Sequence, residues 1–302
     1  MSKTRRRTVR IALFAFAVLV LSAEIGLRWV FGNMAQTSLY TLSPSGGACV
    51  GLAPGLSVTY TGWFLRIPPV LHEVNLQGYR GDEPMPGASP RIAFFGDSFV
   101  YGQGVTVGES LPAQLQTSLR RQSAGAAVVN LGVPGFNLEE SVDHAKRHAA
   151  GFNPDLLLLA LVHNDLEPSL CSSTGTFPPG GLLRGSYSFR GLFYAYKMVG
   201  GRYLSLPEDP AALDAGLAAF RSVSAQLGVR PAVVVLGSPL RRLPPGELEN
   251  RLNRSQIPWL NAHTWLEPGG LPTIAGEGHL DPEGNRVAAE RLGAWLLEQG
   301  LL

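Results

Sequence analysis

Arg91-Ile92-Ala93-Phe94-Phe95-Gly96-Asp97-Ser98-Phe99 is the stretch on which the fold turns. Ile92–Phe95 is a short apolar run that ends abruptly in Gly-Asp-Ser, and a helical pattern follows over Leu111–Arg121. Ala126–Asn130 is a second strand candidate, closing on Leu131-Gly132. Asn137 is placed to cap a helix running to Ala150. Asp155–Val162 is apolar throughout, as a strand covered on both faces must be. Ala211–Leu227 is amphipathic and stops at Gly228, Pro231–Leu236 makes a fourth strand, and Ile257–Asn261 a weaker fifth. Asp281-Pro282-Glu283 opens the last helix, with Asp as N-cap and Pro in the first turn. Strands alternating with helices predict an α/β fold, with a parallel sheet of about five strands between two helical layers.

Outward from this core the pattern loosens. Gly32–Pro90 is punctuated by Gly and Pro, with one β-prone stretch at Val58–Leu65, and reads as an irregular lead-in packed on a main domain of residues 91–302. An insertion at 167–206, rich in aromatic residues such as Phe193, Tyr194 and Tyr196, interrupts the rhythm after the third strand. It would overhang that strand's end, or simply pack on the body. Cys49 and Cys171 both sit among Gly, Pro and Ser; a disulfide and two unrelated thiols are both open.

At the other end, Lys3, Arg5, Arg6, Arg7 and Arg10 precede the apolar run Ile11–Ala23, which continues through Glu24 and Arg28 to Phe31. The whole stretch is about 20 residues, or about 30 Å of helix, enough to span a bilayer. Cleavage after Ala23 would put Leu21 at a position that asks for a small residue. Residues 1–31 are therefore read as a basic tail and an uncleaved single-pass anchor rather than a cleaved signal. The tail would stay cytoplasmic and the body would face the extracytoplasmic, periplasmic side of a bacterial inner membrane. Net charge is +2, but the tail carries five positive charges, so the rest is net −3. A mildly acidic body with no basic stripe argues against a nucleic-acid partner.

Chemistry-bearing residues gather where the predicted strands end. Gly96-Asp97-Ser98 closes the first strand, Gly132 the second and Asn164-Asp165 the third, while His279 precedes the last helix. A hydroxyl nucleophile, a base and oxyanion donors are what acyl transfer needs. Asp97 reads as a turn residue held by local side-chain bonds. His163 reads as packed or capping, and the His144/His148 pair as a solvated helix face, because two ligands make no metal site.

Taken in order, these blocks resemble the SGNH (GDSL-type) hydrolase family over Asn75–Leu297. Phe95-Gly96-Asp97-Ser98-Phe99-Val100-Tyr101-Gly102 is similar to its first block, Asn130-Leu131-Gly132-Val133-Pro134-Gly135 to its second, Val162-His163-Asn164-Asp165 to its third, and His279-Leu280-Asp281-Pro282-Glu283-Gly284 to its fourth. Asn75-Leu76-Gln77-Gly78-Tyr79-Arg80 resembles the segment before the first block in membrane-anchored members. The resemblance implies a flavodoxin-like three-layer fold, with Ser98 as nucleophile, His279 as general base, and the N–H groups of Ser98 and Gly132 with the Asn164 amide as oxyanion hole. It implies no cofactor and no metal.

Two positions depart from the pattern. Val162 stands where the third block usually has Gly, and Gly276 where the family has an acid three residues before the histidine. Glu277 is the leading candidate for that acid, Asp281 a rival with a competing role as N-cap, and a backbone carbonyl the remaining option. Function is read as a serine esterase acting on an acylated, for instance acetylated, extracytoplasmic glycan or small ester. An O-acyltransferase to a sugar hydroxyl and a non-catalytic glycan-binding module stand as alternatives.

Overall fold

The computed structural model describes residues 3–31, 40–41, 51–60, 68–83, 87–123, 125–166, 210–237, 244, 246–267, 269–275 and 277–302. Helix α1 is Lys3–Phe31. Within it Arg7–Leu27 is long and apolar enough to cross a membrane, and Phe14, Leu19 and Leu21 are exposed among the described residues. A signal sequence would meet the same criterion.

Two small antiparallel ladders follow. Strands β1 (Tyr40–Thr41) and β2 (Gly51–Leu52) pair, as do β3 (Ser57–Tyr60) and β4 (Val70–Glu73), with Tyr60 opposite Val70. The expected β stretch from Val58 is strand as far as Tyr60, and residues 61–67 lie outside the described ones. Arg80 ties this lead-in to the rest. It is buried, bridges to Asn130, and donates to the carbonyls of Tyr101, Gly102 and Val105.

The main domain then runs β5 (Arg91–Gly96), α2 (Ser98–Tyr101), α3 (Leu111–Arg120), β6 (Ala127–Gly132), α4 (Leu138–His148), β7 (Leu156–Leu161), α5 (Pro210–Leu227), β8 (Arg230–Val235), α6 (Glu247–Ser255), β9 (Trp259–Asn261) and α7 (Pro282–Glu298). The five strands form one parallel sheet in the order β6-β5-β7-β8-β9. Counting only these strands, the order is 2-1-3-4-5, the flavodoxin-like arrangement.

Period-two alternation along the strands feeds two cores. Phe94, Leu158 and Val234 meet α3 and α7 through Leu115, Leu292 and Leu296 on one face. Phe95, Leu159 and Val233 meet α4 and α5 through Val142, Leu217 and Phe220 on the other. The three-layer α/β/α expectation therefore holds, with boundaries shifted by one or two residues. Helix α6 went unread in the sequence: among its nine residues only Leu248 and Leu252 are buried, too few to mark a period. The insertion at 167–206 and both cysteines lie outside the described residues.

The strand order reverses between β5 and β7. Crossovers leave that edge in opposite directions, so a crevice opens at the carboxyl ends of these two strands. Ser98 follows β5 and Asn164 follows β7, one on each side of it.

Candidate active site

Strand β5 turns into α2 through Asp97. Its carboxylate accepts the Phe99 N–H at 3.0 Å, an N-cap that starts the helix at Ser98. Burial pushes the Asp97 carboxyl up, opposed by its bond from Phe99 and by the nearby His279. The turn is closed from the far side by the Arg80 guanidinium, which satisfies carbonyls at the end of α2. A Cβ at Gly132 would sit 2.3 Å from the Tyr101 nitrogen, so only glycine lets β6 approach the back of this turn.

His279 arrives from a tight loop ahead of α7. The Ile274 N–H donates to the His279 carbonyl at 2.8 Å, and Thr273 bridges Leu280. The imidazole Nε2 stands 2.9 Å from Ser98 Oγ, while Phe99 packs against the ring at 4.7 Å. The Ser98 hydroxyl also has Asp97 Oδ2 at 3.3 Å. It holds one proton, and the shorter contact directs that proton toward His279.

On the other side of the ring, Glu277 Oε2 is 3.4 Å from Nδ1, and the Glu277 side chain is only 1% exposed. At 3.4 Å this is an ion-pair distance rather than a close hydrogen bond, and His279 Nδ1 makes no closer polar contact among the described residues. Asp281 is occupied elsewhere: its carboxylate caps α7 by accepting the Gly284 N–H at 2.8 Å. Of the two candidate acids, the structure brings only Glu277 to the imidazole.

The donors divide less simply. Asn164 is half-buried in the turn after β7, a turn tied by Asp165, whose carboxylate accepts the Val162 N–H and whose carbonyl accepts the Leu138 N–H at 3.0 Å. Ser98 opens α2, where the first N–H groups have no intrahelical acceptor. The Gly132 N–H, however, donates to Asn130 Oδ1 at 3.1 Å. The contact lies within the strand end, two residues apart, and an incoming oxyanion would compete with it for the same N–H.

The next N–H groups are accounted for in turn. Val133 donates to the Gly96 carbonyl at 3.0 Å, Pro134 has no N–H, and Phe136 donates to the Val133 carbonyl at 3.1 Å. Gly135 remains, exposed at φ +81°, with no acceptor for its N–H among the described residues. The sequence carried a signal for it: Val133-Pro134-Gly135-Phe136 is a turn with Pro at its second and Gly at its third position.

The histidines read as structural divide. His163, read as packed or capping, is exposed and stands edge-on to Phe99 at 6.5 Å. His144 is not on a solvated face: it lies against Phe95, Phe136 and His148 at 4.4–6.0 Å. No group of three or more metal-ligating side chains occurs among the described residues.

Comparison with known proteins gives a consistent picture. The model of the GDSL-like Lipase/Acylhydrolase family matches residues 94–287. No curated protein matches the sequence. Among solved structures, TesA is 17% identical with a TM-score of 0.48, covering 70% of this chain and 99% of its own. The psychrotrophic esterase EstA from Pseudoalteromonas sp. is 11% identical with a TM-score of 0.49, covering 70% and 98%. The lipase/acylhydrolase from Enterococcus faecalis is 15% identical with a TM-score of 0.43, covering 69% and 94%. The family match runs from inside β5 into α7, more than half of the chain, and so the chain belongs to the GDSL-like lipase/acylhydrolase family of ester-bond hydrolases.

Proposed function

We propose that the chain is a serine esterase that removes acyl groups, acetyl groups among them, from an extracytoplasmic glycan or small ester through an acyl-enzyme on Ser98. The observation that carries this reading is the 2.9 Å contact between Ser98 Oγ and His279 Nε2, in the crevice where the strand order reverses. In this mechanism Ser98 Oγ attacks the ester carbonyl as His279 takes its proton. The tetrahedral oxyanion collapses, the C–O bond to the alcohol breaks, and His279 returns the proton to the departing alkoxide. Water, activated by the same imidazole, then cleaves the acyl-serine bond and releases the acid. Glu277 holds the ring and stabilises its charged form.

The oxyanion faces the N–H groups of Ser98 and Gly132 and the Asn164 amide. Each such donor is worth about 2.7–4 kcal/mol of barrier. No cofactor or metal enters any step. Helix α1 fits a membrane anchor, and its basic start supports an orientation with the body exported.

The test is hydrolysis of 4-nitrophenyl acetate by the full chain in detergent, with and without Ser98→Ala. The variant is expected to lose at least about 1000-fold in kcat/KM. Equal rates would remove the esterase reading. Product analysis with a sugar acceptor present then separates hydrolysis from acyl transfer, with free acid expected as the main product.

A further inference from the structure

The acid beside His279 is itself held by a residue outside the family-matched region. Tyr60 ends β3 in the lead-in, more than thirty residues before that region begins at residue 94. Its hydroxyl lies 2.9 and 3.1 Å from the two carboxylate oxygens of Glu277. Behind it, Gln103 Nε2 donates to the Tyr60 oxygen at 2.7 Å. A phenol has one proton to give, and an amide N–H can only be accepted. With Gln103 donating to the oxygen, the Tyr60 proton is directed at Glu277.

Burial raises the Tyr60 pKa strongly and the neighbouring Glu277 raises it further, so the phenol keeps its proton. The ring itself is fixed. It is 2% exposed, packs on Ile274 at the base of the His279 loop, and stacks on His72 of β4 at 5.0 Å.

We propose that Tyr60, backed by Gln103, is a positioning residue for the reaction: it fixes the Glu277 carboxylate so that Glu277 can orient His279. The lead-in hairpin β3–β4 is then a working part of the site and not packing alone. This inference rests on the Ser98–His279 reading above. Two features of the geometry support it. Glu277 stands 3.4 Å from Nδ1, longer than a close hydrogen bond, while the Tyr60 hydroxyl is 2.9 and 3.1 Å from its carboxylate oxygens. A buried carboxylate also needs donors to remain where it is. Among the described residues, His279 faces Glu277 and has Asp97 nearby, and His72 faces Tyr60, with Tyr101 edge-on to His72 at 5.3 Å and Arg80 over the Tyr101 ring. Burial, aided by Arg80, lowers His72 to about 3, so it stays neutral during an assay near neutrality.

The experiment compares full chains in detergent: parent, Tyr60→Phe, Gln103→Leu, Glu277→Ala and the Tyr60→Phe/Glu277→Ala double variant, with Ser98→Ala as control. Each is read by kcat, KM, the pH profile and thermal melting. Tyr60→Phe is expected to lower kcat about 10- to 100-fold with KM within about twofold. The acid limb of the profile should move from its parental position, because the Tyr60 O–H is a donor to the carboxylate that faces the imidazole. In the Glu277→Ala background, Tyr60→Phe should cost less than about twofold further, because its target is gone.

A Tyr60→Phe chain with parental kcat and acid limb, or one that loses only melting temperature, overturns the inference while Ser98→Ala remains dead. Additive losses in the double variant overturn it as well. If Tyr60→Phe does not fold, Gln103→Leu decides: a displaced acid limb with KM held supports the inference, and an unchanged profile overturns it. A Ser98→Ala chain as active as the parent overturns the functional reading, and this inference with it.

Discussion

Glu277 and Asp281 stand on either side of His279, and the fold gives them opposite work. Asp281 is spent on the first turn of α7, while Glu277 turns inward beneath the imidazole. Their substitutions should therefore separate. Asp281→Ala is expected to cost about 1 kcal/mol of stability, a fall of about 2–4 °C in melting temperature, with kcat within about threefold. Glu277→Gln keeps the shape and removes the charge, and should lower kcat by about 100- to 10,000-fold. Thermal melting beside ester-hydrolysis rates checks both; a larger kcat loss at Asp281 would make it the acid. The sequence named both residues and ranked them by side-chain reach. It gave no hint of Tyr60, because a contact spanning 217 positions leaves no local pattern.

Helix α4 shows how an element can mislead. His144 and His148 are one helical turn apart, and their polar neighbours Asp143, Lys146 and Arg147 suggest a solvated face. The helix instead rolls His144 toward the sheet, against Phe95 and Phe136. Burial, with the nearby His148 and Arg147 adding to it, lowers the His144 pKa from 6.5 to about 3. The sign follows from linkage: between these values the unfolded chain binds a proton that the folded chain refuses. The contribution is fully present above pH 6.5 and is lost as pH falls toward 3. It amounts to at most about 1.4 kcal/mol per pH unit. Denaturant melts from pH 7 to 4 should show stability falling with acid, and His144→Leu should flatten the slope; an unchanged slope would place the acid sensitivity elsewhere.

For the whole molecule, the division of labour is between α1 and the α/β body. The described contacts of α1 give its apolar face nothing to cover it, whereas the sheet carries its own two cores. Removing residues 1–31 should leave a chain that floats free of lipid vesicles and keeps kcat for 4-nitrophenyl acetate within about twofold. Vesicle flotation and the same assay on the full chain provide the comparison, and a truncated chain that still floats with vesicles would mean that the body binds membrane by itself. The sequence alone determined the fold class, because apolar period, caps and turn residues act within a few positions of chain, and it offered Ser98, Asn164 and His279 as candidates beside the predicted strand ends and the last helix. It also determined that one N-terminal helix could span a bilayer, since length and apolar composition are enough. Only the tertiary structure decided which acid stands beside His279, and that Tyr60 reaches across from the lead-in to Glu277. These are matters of distance between segments far apart in the chain, settled by how the sheet, its helices and the hairpin pack together.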